Sequence, residues 1–415
     1  MRVLLIGSGA REHALAYSLK SDSLVSELHV APGNPGINKC AIAHEVNPND
    51  PESVSQLAQS IAADFVVIGP EAPLVAGVAD AVRALGIPCF GPSKAAAQIE
   101  GSKSFAKEIM TSAGVPTAQS FTCSTREEIE RALDTFGAPY VVKNDGLAAG
   151  KGVVVTNQRA DALRHALDCG KVVIEEYLDG PEISLFGICD GVTVLGMEPA
   201  QDFKRVFDND EGANTGGMGA YSPLPWAPND IIRLTEKEVL LPTIKELARR
   251  NMPFVGLLYA GLALTSRGVH VIEFNARFGD PETEVLLPRL KTPLAQLLLA
   301  AATGNLATHP PLEWSPKSAV TVVLASEGYP ENPRTGLVIE GISDQSDAII
   351  FHAGTKESSR GLISHGGRVF AVTGMGSDLE SARSQSYGAL SKISLTGSHY
   401  RRDIALKASI NEKGA

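Results

Sequence analysis

The chain lacks what several large classes of protein require. Its longest apolar stretches, MRVLLIG at the start and the run around Leu294–Ala302, are too short for a secretory signal or a bilayer span, so a cytoplasmic protein without a membrane partner is expected. Its five cysteines, Cys40, Cys89, Cys123, Cys169 and Cys189, are odd in number, scattered and free of CxxC spacing. That argues against a disulfide framework and a zinc site, and leaves them as small buried apolar residues. Basic charge is also in deficit, with 37 Lys and Arg against 47 Asp and Glu and a net charge of −10. Nucleic acid is therefore not an expected partner, and a phosphorylated substrate must be met by a few placed cations.

What is present is a chain of 415 residues, 44% hydrophobic, long enough for two or three domains with their own cores. The first hundred residues alternate β-like runs (VLLIG, ELHVAPG, DFVVIGPE) with amphipathic stretches, one of them opened by Asn49-Asp50-Pro51. That rhythm predicts a doubly wound α/β domain over residues 1–101. Residues 102–307 mix strands and helices and hold glycine-rich stretches at 145–152, 214–219 and 277–280. Glycine clusters weaken regular structure, so they mark backbone that must approach something closely. THPPLEWSP (308–316) reads as a linker, and SAVTVVLAS, AIIFHAG and RVFAVTGMG predict a strand-rich domain over 317–415. The fold class expected is thus α/β followed by α+β.

KNDGLAAGKGVVV (143–155) sets lysines about a glycine-rich bend. Gly146, Gly150 and Gly152 suit a tight hairpin, but Lys143 and Lys151 beside freed N–H groups suit a phosphate better. The spacing is not that of a Walker A loop, since Gly152 stands where a Ser or Thr would hold Mg²⁺. GSGAREH follows a strand and opens a helix, yet Glu12 replaces the third glycine of a dinucleotide fingerprint, and HVAPG supplies no ribose-binding acid. That argues against NAD. Gly9 and the second turn at Gly33, Asn34 and Gly36 suit one sugar phosphate, with plain turn geometry as the alternative. Glu71, at a strand end, offers a carboxylate for a hydroxyl or amine, or simply caps a turn.

VIEFNARFGDPE (271–282) is the most informative stretch. Glu273 and Asn275 are two apart on a strand, so both leave one face with hard oxygen atoms of the kind Mg²⁺ takes, and Arg277 follows in step. A polar solvent face is the bland alternative. VVIEEYL (172–178) runs into Glu175 and Leu178, a corner able to meet an adenine edge, and Glu182 follows at a distance suited to ribose hydroxyls. Taken alone, that segment is a buried strand ending in surface acids.

Lys103, Lys143, the DGLAAGKG loop, the EEYL corner and EFNARFGDPE together resemble the ATP-grasp superfamily, which holds ATP between two α+β subdomains. Within it the resemblance is to the phosphoribosylamine–glycine ligases, carried in order along the chain by GSGAREHAL, APGNPG, GPEAPLVAGVAD, GPSKAAAQIEGSKSFAK, NTGGMGAYSP, RFGDPETE and FHAGT. Phe203 and Ala213 depart from the family's more usual His and Pro, so no catalytic role is expected of them. GLALT lacks the acid that other superfamily members carry on the preceding strand, which limits the metal set to Glu273 and Asn275.

The resemblance implies ATP-dependent ligation of glycine to 5-phosphoribosylamine through glycyl phosphate, with Mg²⁺ or Mn²⁺ as cofactor and a monomeric enzyme. It implies Lys103 and Lys143 on the ATP phosphates and the 146–152 loop as a cover over them. The mobile subdomain would lie at about 115–185, and Arg277 would meet the charge on the transferred group. Asp202, Lys204, Asn214, Thr215 and Asp280 are its candidates for glycine and phosphoribosylamine, and the amino-terminal glycine turns for the 5-phosphate. The alternatives are a sister ATP-grasp ligase or carboxylase, a nicotinamide-dependent dehydrogenase, and a nucleotide sensor without turnover.

Overall fold

The computed structural model describes residues 1–147, 152–342 and 347–414. Five parallel strands lie in the order Ile42–Ala43, Glu27–Pro32, Arg2–Gly7, Phe65–Ile68 and Cys89–Phe90. Val3 and Leu5 pack on the helix Ala10–Ser21, while Leu4 and Ile6 pack on the helices Pro51–Ser60 and Val78–Ala84. Burial on both faces is why the central strands Arg2–Gly7 and Phe65–Ile68 carry the apolar runs VLLI and FVVI. Asp50 caps its helix by accepting the Glu52 N–H at 3.3 Å, with Pro51 at the first helical position, as the sequence predicts.

The middle of the chain builds two antiparallel sheets. The larger runs Val194–Gly196, Glu182–Asp190, Val255–Thr265, Gly268–Asn275. The smaller runs Ser120–Cys123, Val172–Glu175, Tyr140–Asn144, Val153–Thr156, under the helices Arg126–Phe136 and Arg159–Cys169. It has its own small core, in which Ile129, Leu133, Val142 and Ile174 meet. One crossing between the two is pinned where Val271 N–H donates to Pro116 O at 2.8 Å and Thr117 Oγ1 donates to Val271 O at 2.7 Å.

The carboxy-terminal sheet reaches back into the middle of the chain. Its order is Gln201–Asp202, Gly219–Ser222, Ser318–Ala325, Arg368–Gly376, Ile349–His352, so its first two strands come from well before residue 317. Strands of two and four residues carry too little pattern to be seen in sequence. The 308–316 segment begins in the 3-10 turn Leu306–Thr308 and is otherwise irregular apart from a β-bridge of Trp314 to Leu290, yet it is not a free tether. Lys291 N–H donates to Glu313 O at 2.8 Å, Ser315 N–H to Arg289 O at 2.7 Å, and the Arg289 guanidinium lies 5.9 Å from the Trp314 ring centre.

The apolar run noted in the sequence is the helix Leu294–Ala302, wedged between the strands Cys89–Phe90, Glu182–Asp190 and Val255–Thr265. Its first amides are capped from another domain, where Asp22 Oδ2 accepts Ala295 N–H at 2.9 Å and Gln296 N–H at 3.2 Å. All five cysteines are free; Cys89, Cys123 and Cys189 are buried, but Cys40 and Cys169 are only half-buried, against the expectation for all five. Because Leu297 is fully buried in this wedge, Leu297→Ala is expected to cost about 2–5 kcal/mol of unfolding free energy in urea denaturation. A cost within error of zero would show that the wedge does not hold the domains together.

Candidate active site

A cavity of about 810 Å³ opens where the two antiparallel sheets, the strand ends of the parallel sheet and the carboxy-terminal sheet converge. Along the strand Gly268–Asn275 and just beyond it, Phe274 and Ala276 enter the core while Glu273, Asn275 and Arg277 line the cavity. The two-residue period of an extended chain produces this division. Burial alone would raise the Glu273 carboxyl, but Lys204, Lys143, Lys103 and Arg277 together hold it below the usual range, so it is a carboxylate. Gly261 stands opposite Glu273 and Tyr259 opposite Asn275, so the neighbouring strand adds no acid. Among the described residues no cluster of three or more His, Cys, Asp or Glu side chains has metal-binding spacing. Glu273 and Asn275 fit a hard cation that keeps waters and substrate phosphates as its other ligands.

Arg277 is held on several sides. Its Nε lies 3.3 Å from Glu71 Oε2 and its Nη2 3.1 Å from Glu100 Oε1, while Nη1 donates to Phe278 O at 3.2 Å and Nη2 to Asn275 Oδ1 at 3.4 Å. Burial opposes its charge, and Glu100 followed by Glu71 more than offsets that. The two acids titrate apart. Burial lifts both, but Arg277 and Arg11 bring Glu71 down to about 2, whereas burial keeps Glu100 raised.

Three lysines gather at the other end. Lys143 Nζ donates to Ile272 O at 2.8 Å and is ion-paired with Glu175, whose second oxygen lies 2.6 Å from Lys107 Nζ. Lys107 also donates to Thr117 Oγ1 at 2.9 Å and to Ala118 O at 3.0 Å. Sequence reasoning missed Lys107, although it follows Lys103 by four residues on the helix Lys103–Ala113 and so shares its face. Lys103 Nζ donates to Gly146 O at 3.2 Å, and burial lowers its pKa. Of the glycine loop, Gly152 lines the cavity and its carbonyl accepts Asn144 N–H at 2.8 Å; Gly150 and Lys151 lie outside the described residues. Leu178 and Glu182 line the cavity too, and Glu182 lies 3.1 Å from Lys204 Nζ, chiefly raising that lysine's pKa.

The remaining candidates divide by what already holds them. Asp202 lines the cavity with a buried Oδ1 that has no hydrogen-bond partner, and burial and then Glu282 push its carboxyl well up. Asn214 instead donates to Val153 O at 3.2 Å, reaching the smaller sheet. Thr215 Oγ1 donates to Lys204 O at 2.8 Å and accepts Gly217 N–H at 3.0 Å, which fixes its own loop. Asp280 Oδ1 lies 3.1 Å from Arg368, a residue the sequence did not single out. Glu282 was also missed; it is buried and accepts from Ser184 Oγ at 2.8 Å and Tyr259 OH at 2.6 Å.

At the amino-terminal turns, expected to cradle the 5-phosphate, the polar groups of Gly9, Asn34 and Gly36 already have partners within the chain. Glu12 Oε2 accepts Gly9 N–H at 2.6 Å, and Glu12 Oε1 lies 2.5 Å from Arg11 Nε. The carboxylate is packed so closely over Gly7 and Gly69 that a Cβ on either would overlap it. Asn34 spends its amide on Ser8 O and His352 O, each at 2.8 Å, and its oxygen on Gly36 N–H at 2.9 Å and Ile37 N–H at 3.0 Å. Gly36 is pressed against His13 and His352, and Gly33 turns at φ +75°. Gly9, Gly33, Asn34 and Gly36 therefore brace the domain junction, and none lines the cavity; Arg11 and Glu71 reach it from this domain. Glu12, packed where a pyrophosphate would sit, also argues against the dinucleotide alternative.

Known proteins resemble this chain along its length. Residues 1–100 match the Phosphoribosylglycinamide synthetase N domain, 101–283 its ATP-grasp (A) domain and 319–407 its C domain. A phosphoribosylamine–glycine ligase of Streptomyces coelicolor is 59% identical over 414 residues, covering 99% of this chain and 100% of the relative. The crystal structure of a phosphoribosylamine–glycine ligase from Thermotoga maritima superposes with a TM-score of 0.86 at 32% identity, over 98% of this chain and 100% of that one. The biotin carboxylase domain of a Hydrogenobacter thermophilus 2-oxoglutarate carboxylase shares the fold, with a TM-score of 0.75 at 17% identity over 96% of this chain and 91% of that one.

Removing Glu12 tests the self-capped turn. Glu12→Ala leaves the buried Arg11 without its nearest counter-charge and Gly9 N–H without its acceptor, so a loss of about 3–5 kcal/mol is expected in urea unfolding. ATP affinity of the fraction that remains folded should not change, as measured by equilibrium dialysis. An unaltered unfolding midpoint would mean that Glu12 is not the structural brace.

Proposed function

The chain belongs to the phosphoribosylglycinamide synthetase family, ligases that join glycine to 5-phosphoribosylamine with ATP in purine biosynthesis, and from that membership we propose how its residues divide the work. Convergence on one cavity of Lys103 and Lys143 with the Glu273, Asn275 and Arg277 face carries the proposal. A carboxylate is a poor acyl electrophile, because attack adds charge to an anion. Transfer of the γ-phosphoryl group to a glycine carboxylate oxygen breaks the bond from Pγ to the β-bridging oxygen and releases ADP. The amine nitrogen of phosphoribosylamine then attacks the acyl carbon of glycyl phosphate, the C–O bond breaks, phosphate leaves and the amine gives up a proton.

In this division Lys103 and Lys143 neutralise ATP phosphates, and Arg277 meets the charge that moves from phosphoryl to acyl oxygen. At an effective dielectric near 20, a cation about 4 Å from a phosphate oxygen gains roughly 4 kcal/mol before desolvation, so several such contacts are needed. A bound Mg²⁺ or Mn²⁺, held by the oxygens of Glu273 and Asn275, would supply further neutralisation of the β- and γ-phosphates. The Glu175–Leu178 corner takes the adenine edge and Glu182 the ribose hydroxyls. Support for Asp202 as the partner of the glycine ammonium comes from its unpaired buried oxygen. Glu71 meets the sugar or its amine. With the amino-terminal turns closed, Arg11 and Arg368, both beside Asp280, are the cations left for the 5-phosphate at that end. The enzyme proposed acts as a monomer in the cytoplasm. No helix among the described residues is long and apolar enough to cross a membrane.

A coupled assay of ADP formation tests the whole reading: release should require both glycine and phosphoribosylamine, and release that ignores glycine would end it. Lys143→Ala should raise KM for ATP and depress kcat, each by about tenfold or more; normal turnover would take Lys143 out of the site. For Glu273→Ala, the Mg²⁺ concentration giving half-maximal rate should rise by about tenfold or more, and an unchanged titration would remove Glu273 from the metal.

A further inference from the structure

We infer that Glu100 is a positioning residue that sets Arg277 for the transferred group by holding both its backbone and its guanidinium. The inference rests on the reading of Arg277 given above. Glu100 lies on the short helix Gln98–Gly101 and is 9% exposed. Its Oε2 accepts the Ala276 N–H at 2.7 Å and its Oε1 lies 3.1 Å from Arg277 Nη2. The last ladder pair of that strand is Tyr259 with Asn275. Ala276 lies one residue beyond that pair, and its N–H goes to Glu100. One carboxylate thus anchors the backbone just past the strand and holds the side chain of the next residue.

Glu71, the other acid on Arg277, differs in kind. Both acids line the cavity, but the Glu71 side chain is 30% exposed against 7% for Glu100, so an arriving sugar competes for Glu71 first. Glu100 stays when Glu71 is drawn off. The same short helix runs through Ser102, the cap of the next helix, into Lys103, so one segment registers both a phosphate lysine and the catalytic arginine. Arg277, Glu71, Arg11 and Lys103 are the charged groups that face Glu100. Burial raises the carboxyl and Arg277 opposes that, so the charged clamp exists above the raised value and is lost as pH falls through it.

Glu100→Gln keeps the volume and an acceptor for Ala276 but removes the charge. We expect kcat to fall by about tenfold or more with KM for ATP within about twofold of wild type, and the acid limb of kcat against pH to shift or vanish. Glu100→Asp retains the charge and should recover part of kcat. Wild-type kcat and acid limb in Glu100→Gln would overturn the inference. So would equal impairment of both variants with every KM raised and the melting temperature lowered, since that is the mark of a purely structural group. If Glu100→Gln does not fold, Glu100→Asp decides: a displaced acid limb supports the clamp, and an unmoved one overturns it. Arg277→Gln separates the two layers, because normal turnover there would remove Arg277 itself from the chemistry whatever Glu100 does.

Discussion

A cation taken out of water needs a counter-charge before its substrate arrives, and this cleft is organised around that need. Arg277 has Glu71 and Glu100, Lys143 and Lys107 share Glu175, Arg368 has Asp280, Arg11 has Glu12, and Lys204 has Glu182. On the proposed division of roles, the phosphates of a bound nucleotide would meet cations that, Lys103 apart, already have carboxylate partners, and the more exposed acids, Glu71 and Glu182, are the ones placed to give way. The buried acids, Glu100 and Glu175, hold the cations in place throughout.

Asp202 stands out against that background. Its buried oxygen has no partner, and Glu282 beside it pushes the carboxyl up. An ammonium group is the kind of ligand that relieves both conditions, because it brings donors and positive charge together. On the proposed reading, the cleft would present paired cations toward the phosphates and an acid with one free oxygen toward an amine, the polarity that ligation of an amino acid requires.

Much of this was readable because it follows from short-range rules. Period-two spacing brings Glu273, Asn275 and Arg277 to one face, and continuous apolar runs mark the doubly covered parallel sheet. The glycine turns carry a signature that two arrangements share. A helix that begins Gly-Ala-Arg-Glu offers its N-terminus to a phosphate, but an acid at the third helical position can reach back and occupy the same N–H. Glu12 does so at Gly9, and that acid was visible in the sequence as the residue breaking the dinucleotide fingerprint. Glu100 gave no such sign, since its partners Ala276 and Arg277 are about as far along the chain as the whole intervening domain.

The NTGGMG stretch shows how far a sequence signal can be trusted. Its glycines promised close approach, and the approach is real, but the visitor is protein. Gly217 turns at φ +110°, and a Cβ there would lie 2.7 Å from Asp202 Oδ1 and overlap Pro281; one at Gly216 would lie 3.1 Å from the Arg368 guanidinium carbon. The loop between the strands Gln201–Asp202 and Gly219–Ser222 is thereby packed against the RFGDPE turn and a carboxy-terminal arginine at once. The carboxy-terminal sheet borrows those two strands for a physical reason: it holds Asp202 and Lys204 at a fixed distance from the strand of Glu273. Glycine in this motif serves the geometry of Asp202 from one layer behind it.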